Sequence, residues 1–163
     1  MMMARILVPV DFSSCSWAAL DQAFEVATRT SATLVLLHVW KPPQHVLPEM
    51  VIFFPGNQEQ SLSDYAMAEA GKEMERFLAA LSPERRQLVR TKIVLGQPVT
   101  SILEEAQSGA YDMVVMGTHG RRGLSHFFLG SVAEQVVRRA ACPVLTVRGP
   151  KGPPKAAQAV AQQ

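Results

Sequence analysis

Cysteine is scarce in this chain, with two in 163 residues, Cys15 and Cys142. Two are too few for a disulfide framework, and they form neither a C-x-x-C pair nor a zinc spacing, so a reducing compartment is the simplest setting. Long apolar runs are also missing. The longest, Ala32 to Trp40, falls far short of the roughly 18 to 20 residues of a membrane helix. The short run Ile6 to Val10 after Arg5 is followed by Asp11, with no small-residue cleavage site at secretory spacing, so a signal peptide is not expected. The expectation is a soluble, cytoplasmic protein with no membrane partner. An excess of one charge is lacking too. Sixteen Lys and Arg face 14 Asp and Glu, and two of the lysines, Lys151 and Lys155, lie in the tail after Arg148, so residues 1–148 balance at 14 against 14. A domain that grips duplex phosphates carries a basic excess, so a nucleic-acid partner is not expected.

What is present is the length for one domain and a regular alternation of apolar patterns. Ile6-Leu7-Val8-Pro9-Val10 suits a strand buried on both faces. After Ser13 and Ser14, either able to cap a helix, Trp17, Leu20, Phe24 and Ala27 recur at helical steps. Thr33 to Val39 reads as a second strand, and Met67, Ala70, Met74, Phe77, Leu78 and Leu81 as a second helix. Lys92 to Leu95 is a short third strand. Pro98 opens a helix striped by Val99, Ile102, Leu103 and Ala106. Asp112 to Met116 is the fourth strand. A glycine-rich loop follows it, then a helix on Val132, Val136, Val137 and Ala140, and Val144 to Val147 closes the pattern as the fifth strand. Strand alternating with helix predicts a single-domain α/β fold, an open five-stranded parallel sheet with helices on both faces.

Two segments depart from this grammar. Lys41 to Gln60, with four prolines around Val51-Ile52-Phe53-Phe54, is longer than an ordinary strand-to-helix connection. It reads equally as a lid or partner surface and as an excursion that tucks its aromatics against the domain. Gly149 to Gln163, rich in Gly, Pro, Ala and Gln, reads as a flexible tail behind a domain spanning residues 1–148.

Ligands of open α/β sheets bind at the carboxyl ends of the strands, where adjacent connections diverge. Strand 1 ends at Asp11. Strand 4 ends in Gly117-Thr118-His119-Gly120-Arg121-Arg122-Gly123, and its loop closes on Gly130-Ser131, a G-x2-G-x9-G-S spacing. Glycines let backbone N–H groups approach phosphates, and a helix start attracts anions. Arg121 and Arg122 can add charge, and Asp11 can hold ribose hydroxyls or a phosphate-bound cation. On residues alone, an equal alternative is that the glycines serve the turn and Ser131 caps the helix. The loop also lacks the G-K-[ST] ending of a P-loop, so phosphoryl chemistry through His119 or Asp11 is left as a lesser alternative. His38, inside an apolar strand, reads as a satisfied core histidine, and no histidine pair has metal-ligand spacing.

Taken together, Gly117 to Gly123, Gly130-Ser131-Val132-Ala133-Glu134 and Cys142-Pro143-Val144-Leu145, with Ile6 to Ser13 and Leu36-Leu37-His38-Val39, resemble the ATP-binding branch of the universal stress protein family. The resemblance covers about residues 4 to 148. It implies the adenine nucleotide alpha hydrolase-like fold with strand order 3-2-1-4-5, and a stress-response regulator that forms homodimers through the last strand and acts on a downstream protein partner. It implies ATP, carried with Mg2+, as the ligand. Pro9, Val10, Asp11 and Val39 would line the adenine and ribose pocket; Met116, Gly117, His119, Gly120 and Arg121 would continue it. Gly130, Ser131 and Val132 would hold the phosphates. Valine at Gly117 or Gly130 is expected to weaken ATP binding by blocking phosphate approach while leaving the fold largely intact. A nucleotide-free interaction module is the remaining alternative.

Overall fold

The computed structural model describes residues 5–55, 58–119 and 130–149. Among the described residues, seven strands and five helices follow in chain order: β1 Arg5–Pro9, α1 Ser14–Thr30, β2 Thr33–Trp40, β3 Val51–Phe54, β4 Gln58–Ser61, α2 Leu62–Ala79, α3 Pro83–Gln87, β5 Val89–Leu95, α4 Pro98–Ser108, β6 Met113–Gly117, α5 Ser131–Arg139 and β7 Val144–Val147. Five of the strands form one sheet, β5-β2-β1-β6-β7, with every pairing parallel. Counted along the chain without the hairpin, that order is 3-2-1-4-5. Residues 120–129 and 150–163 lie outside the described residues, so Gly120, Arg121 and most of the expected tail do too.

Side chains alternate across a strand, and here each face has its own core. Ile6, Val8, Leu34, Leu36 and Val115 pack under α1 and α2 with Leu20, Phe24, Met74 and Phe77. Leu7, Val35, Leu37, Val114 and Met116 pack under α4 and α5 with Ile102, Ala106, Ala133 and Val136. The central strands are fully enclosed, which is why they appear as unbroken apolar runs. The strand β5 is an edge. Arg90, Thr91 and Lys92 are exposed there, and its polar first half explains why the apolar pattern alone starts it at Lys92.

The long connection contains an antiparallel hairpin, β3 on β4, with Val51 opposite Ser61 and Phe53 opposite Glu59. Phe53 is 72% exposed and Leu47 69%. An excursion that tucks its aromatics inward therefore does not describe Phe53. The hairpin feeds directly into α2, whose start is capped by the Ser61 hydroxyl accepting from the Asp64 amide at 3.0 Å.

At the amino ends of the strands, Glu105 of α4 gathers two donors. Lys92 Nζ donates to its Oε2 at 2.6 Å, and the Tyr111 hydroxyl to its Oε1 at 2.8 Å. The Arg5 guanidinium lies 4.6 Å over the Tyr111 ring. Burial pushes the Glu105 carboxyl up, but the hydrogen bonds from Lys92 and Tyr111 outweigh it and leave the group below the usual carboxylate range. Burial, with the bond to Glu105, pushes the Tyr111 phenol from 10.0 up to about 12. The two signs are opposite in their pH effect. The Glu105 contribution is present above the carboxylate range and is lost as pH falls through its lowered pKa. The Tyr111 contribution is complete below pH 10 and is lost as pH rises toward 12. Denaturant titrations across pH are thus expected to show a Tyr111→Phe variant with a flatter alkaline limb, and a Glu105→Gln variant with a flatter acid limb, than the parent protein.

Candidate functional site

The central pair β1 and β6 is matched at two positions only, Ile6 with Met113 and Leu7 with Val114. β1 continues beside β2 as far as Pro9 and Leu37, while β6 continues beside β7 as far as Gly117 and Val147. The two strands therefore part at their carboxyl ends. α1 leaves β1 over one face and α5 follows β6 on the other, so no connection fills the gap between them. A cavity of about 480 Å³ opens there, inside the range of small-molecule sites.

Ten of the twelve residues expected to form a site line this cavity: Pro9, Val10, Asp11, Val39, Met116, Gly117, His119, Gly130, Ser131 and Val132. Gly120 and Arg121 lie outside the described residues. The walls also include Ser16, Leu37, Pro98, Ile102, Thr118 and Ala133, which the motif reading missed. Leu37 was recoverable, since it lies two residues before Val39 on the same strand face. Pro98 and Ile102 come from α4, and only the crossover from β5 back across the sheet to β6 brings them here.

The turn after β1 is held by a local network. Asp11 Oδ1 accepts from the Ser13 amide at 3.1 Å and from the Ser16 hydroxyl at 2.7 Å. The Asp11 amide donates back to Ser16 Oγ at 2.9 Å. Ser13 then caps α1, its hydroxyl accepting from the Ser16 amide at 3.3 Å. The carboxylate is thereby oriented at the rim by two bonds to Oδ1, with the Asp11 amide bond to Ser16 holding the turn beside it. On the other wall His119 pairs through Nδ1 with the Thr118 hydroxyl at 3.0 Å. Its Nε2 is buried and has no hydrogen-bond partner among the described residues, an expensive state for a ring nitrogen unless something else meets it.

Helix starts divide into two kinds. α1, α2 and α3 each begin on a serine whose hydroxyl accepts from the chain, Ser13, Ser61 and Ser82. α4 begins after Gln97 and α5 after Gly130, neither with a side-chain cap. Both uncapped starts contribute to the cavity wall, through Pro98 and through Gly130 and Ser131. Ser131 is the first helical residue, not the cap, and it is exposed. Its position corrects the reading in which it caps the helix. Free N–H groups and the positive end of the dipole favour an anion at such a start.

The glycines act differently from expectation. A Cβ on Gly117 would stand 2.7 Å from Cys15 Cβ and 3.1 Å from that residue's carbonyl carbon, so the missing side chain faces α1 and lets that helix sit on β6. A Cβ on Gly130 would stand 2.8 Å from the Thr118 carbonyl oxygen, the atom that accepts the Gly130 amide at 2.7 Å. Neither position tolerates a side chain without displacement of backbone, so valine there would disturb the fold and not merely the approach of a ligand. Among the described residues no group of three His, Cys, Asp or Glu could hold a metal ion, and no helix is long and apolar enough to cross a membrane.

An open, doubly wound α/β domain with a cavity at its switch point is the class defined by this geometry. The chain matches the model of the universal stress protein family over residues 2–148, and it belongs to that family. It is 31% identical to universal stress protein MJ0531 of Methanocaldococcus jannaschii over 147 residues, 90% of this chain and 83% of that protein. It is 29% identical to universal stress protein YxiE of Bacillus subtilis, over 90% of this chain and all of that one. A universal stress protein of Mycolicibacterium smegmatis is 33% identical, and there the match spans 45% of its length. Among solved structures, hypothetical protein MJ0577 superposes with a TM-score of 0.73 at 29% identity, covering 93% of this chain and 100% of that one. A universal stress protein in complex with cAMP shares the fold at a TM-score of 0.58 and 22% identity, covering 92% and 100%.

Alanine at Gly117 is expected to cost about 1–3 kcal/mol through overpacking against Cys15. Urea unfolding would read this as a lowered midpoint with an unchanged slope, and an unchanged midpoint would contradict the packing role.

Proposed function

We propose that this protein is an ATP-binding regulator of the stress response, a cytoplasmic homodimer in which nucleotide occupancy alters a surface read by a protein partner. The observation that carries the reading is the start of α5, where Gly130 and Ser131 line the cavity without a side-chain cap. A bound oligophosphate would supply the acceptors that serines supply elsewhere in the fold. Gly130 lets the α5 start close on the Thr118 carbonyl at the cavity wall, and the exposed Ser131 hydroxyl adds a donor. Buried His119 Nε2 offers a further polar contact. The apolar side chains of Pro9, Val10, Val39 and Met116 suit the faces of a purine and its ribose, with Asp11 held at the rim for a hydroxyl. Gly120 and Arg121 complete the proposed set by their place in the motif.

Magnesium fits as a passenger. With no metal-ligand cluster among the described residues, Mg2+ would be held chiefly by the phosphates, with Asp11 the carboxylate of the cavity wall. The neutral balance of residues 1–148 supports a small anionic ligand at one local site over a polyanion spread across the surface. β7 is an edge of the sheet, paired on one side by β6, and an unpaired edge gives two copies a reason to associate there.

Calorimetric titration with ATP and magnesium tests the site through Ser131→Glu. A carboxylate at the first turn of α5 favours the helix itself by about 0.3–1 kcal/mol, so the variant is expected to fold as well as its parent. The same charge faces the phosphates, and affinity is expected to fall about tenfold or more. Equal affinities in the two folded proteins would remove α5 from the site, and absence of saturable binding in the parent would defeat the nucleotide reading.

A further inference from the structure

His38 lies on the far side of the β2 wall from the cavity, yet it touches both neighbours of Asp11. Its Nδ1 is 2.9 Å from the carbonyl oxygen of Val10. A carbonyl only accepts, so the ring carries its proton on Nδ1. The bond begins where the backbone ladder stops. β1 and β2 pair as far as Pro9 and Leu37, and the Val10 amide then donates to the Leu37 carbonyl at 2.9 Å. The remaining polar group of Val10 is taken by the His38 side chain. Val10 is 5% exposed, so its carbonyl has little access to water and depends on that partner.

Phe12 stands on the other side of Asp11, at φ 63°. A bulky residue in the left-handed region is strained and persists only where its surroundings hold it. Here the Phe12 ring stacks on the His38 ring with centroids 4.5 Å apart and planes at 30°, and meets Phe77 edge-on at 5.6 Å. Phe77 in turn lies 3.9 Å from Trp17 of α1. The reversal at Phe12 is what lets the chain fold back so that the Ser13 amide and the Ser16 hydroxyl reach Asp11 Oδ1.

We propose that His38 is a positioning residue for the nucleotide site. Its Nδ1–H fixes Val10, its ring supports the left-handed Phe12, and together these hold the Asp11 carboxylate at the cavity rim. This rests on the nucleotide reading above for its effect on affinity, but its effect on the Asp11 turn is independent of any ligand. Coupling is carried by contacts one residue to either side of Asp11, so it should be lost when Asp11 is lost.

Two readouts test the proposal on the full chain. In His38→Phe, which keeps a ring and removes the donor, hydrogen exchange at the Ser13 amide is expected to quicken about five- to tenfold, while the Leu7 and Leu36 amides keep parental protection. ATP·Mg2+ affinity, by calorimetry, is expected to fall by about the same factor, and by less than twofold when the change is made in an Asp11→Ala background. His38→Asn returns a donor near the position of Nδ1 but gives up the ring that supports Phe12, so it is expected to recover part of both losses, and it provides the comparison should His38→Phe fold poorly. Unchanged Ser13 exchange in His38→Phe, or in His38→Asn where the Phe variant does not fold, overturns the proposal, as do affinity losses that add in the double variant. If the parent protein binds no ATP but Ser13 exchange responds as described, the positioning of the Asp11 turn stands and the nucleotide reading falls.

Discussion

The short match between β1 and β6 is the constraint on which the rest depends. Two strands that pair for two residues and then follow different neighbours must separate, and the gap falls at the carboxyl end of the sheet. Because α1 and α5 leave to opposite faces, neither covers it. Both lips of the cavity owe their place to this divergence. Val10 and Asp11 extend one lip, Thr118 and His119 the other, and α4 reaches the opening because its chain crosses back over β2 and β1 to reach β6. The sheet order is thus the first determinant of the site, and the side chains refine it.

Capping chemistry gives the opening its character. Serine hydroxyls finish three helices whose starts lie away from the cavity wall or, for α1, at its edge through Ser16. The two helices that lack such a cap both open into it. Supplying every start with its own acceptor would stabilise the empty protein, by about 1 kcal/mol for each cap. Leaving the α5 start without one keeps donors for an outside anion. The buried, unpartnered Nε2 of His119 belongs to the same pattern, a polar group whose satisfaction the described chain does not provide.

The sheet was legible because its strands are enclosed. Leu7, Val8, Leu36, Val114 and Val115 are buried by helices on either face, so they had to be apolar and therefore showed as runs. The hairpin was hidden for the opposite reason. Val51–Phe54 lies among prolines, and its partner Gln58–Ser61 carries polar side chains with no alternation to announce a strand. α3, a single turn with no buried residue, had no apolar stripe to find. In the site, spacing located the glycines but could not give the direction in which their absent side chains would point. Gly117 faces Cys15 and Gly130 faces the Thr118 carbonyl, facts of packing that appear only in three dimensions. The residue types alone left nucleotide site and plain turn in balance, and the preference for a nucleotide site came from the family resemblance, not from spacing. His38 read as a satisfied core histidine and is satisfied, but what satisfies it, the carbonyl next to Asp11, was beyond a linear pattern.

The most direct test of the central claim, that an adenine nucleotide occupies the carboxyl-end cavity, is an amide chemical-shift titration of isotope-labelled protein with ATP and magnesium. The account predicts saturable shifts that converge on Val10, Asp11, Val39, Gly117, His119 and residues 130–132, leaving the Arg5, Lys92 and Glu105 end of the sheet unmoved. Shifts centred on that opposite end, or none at saturating ATP, would contradict it.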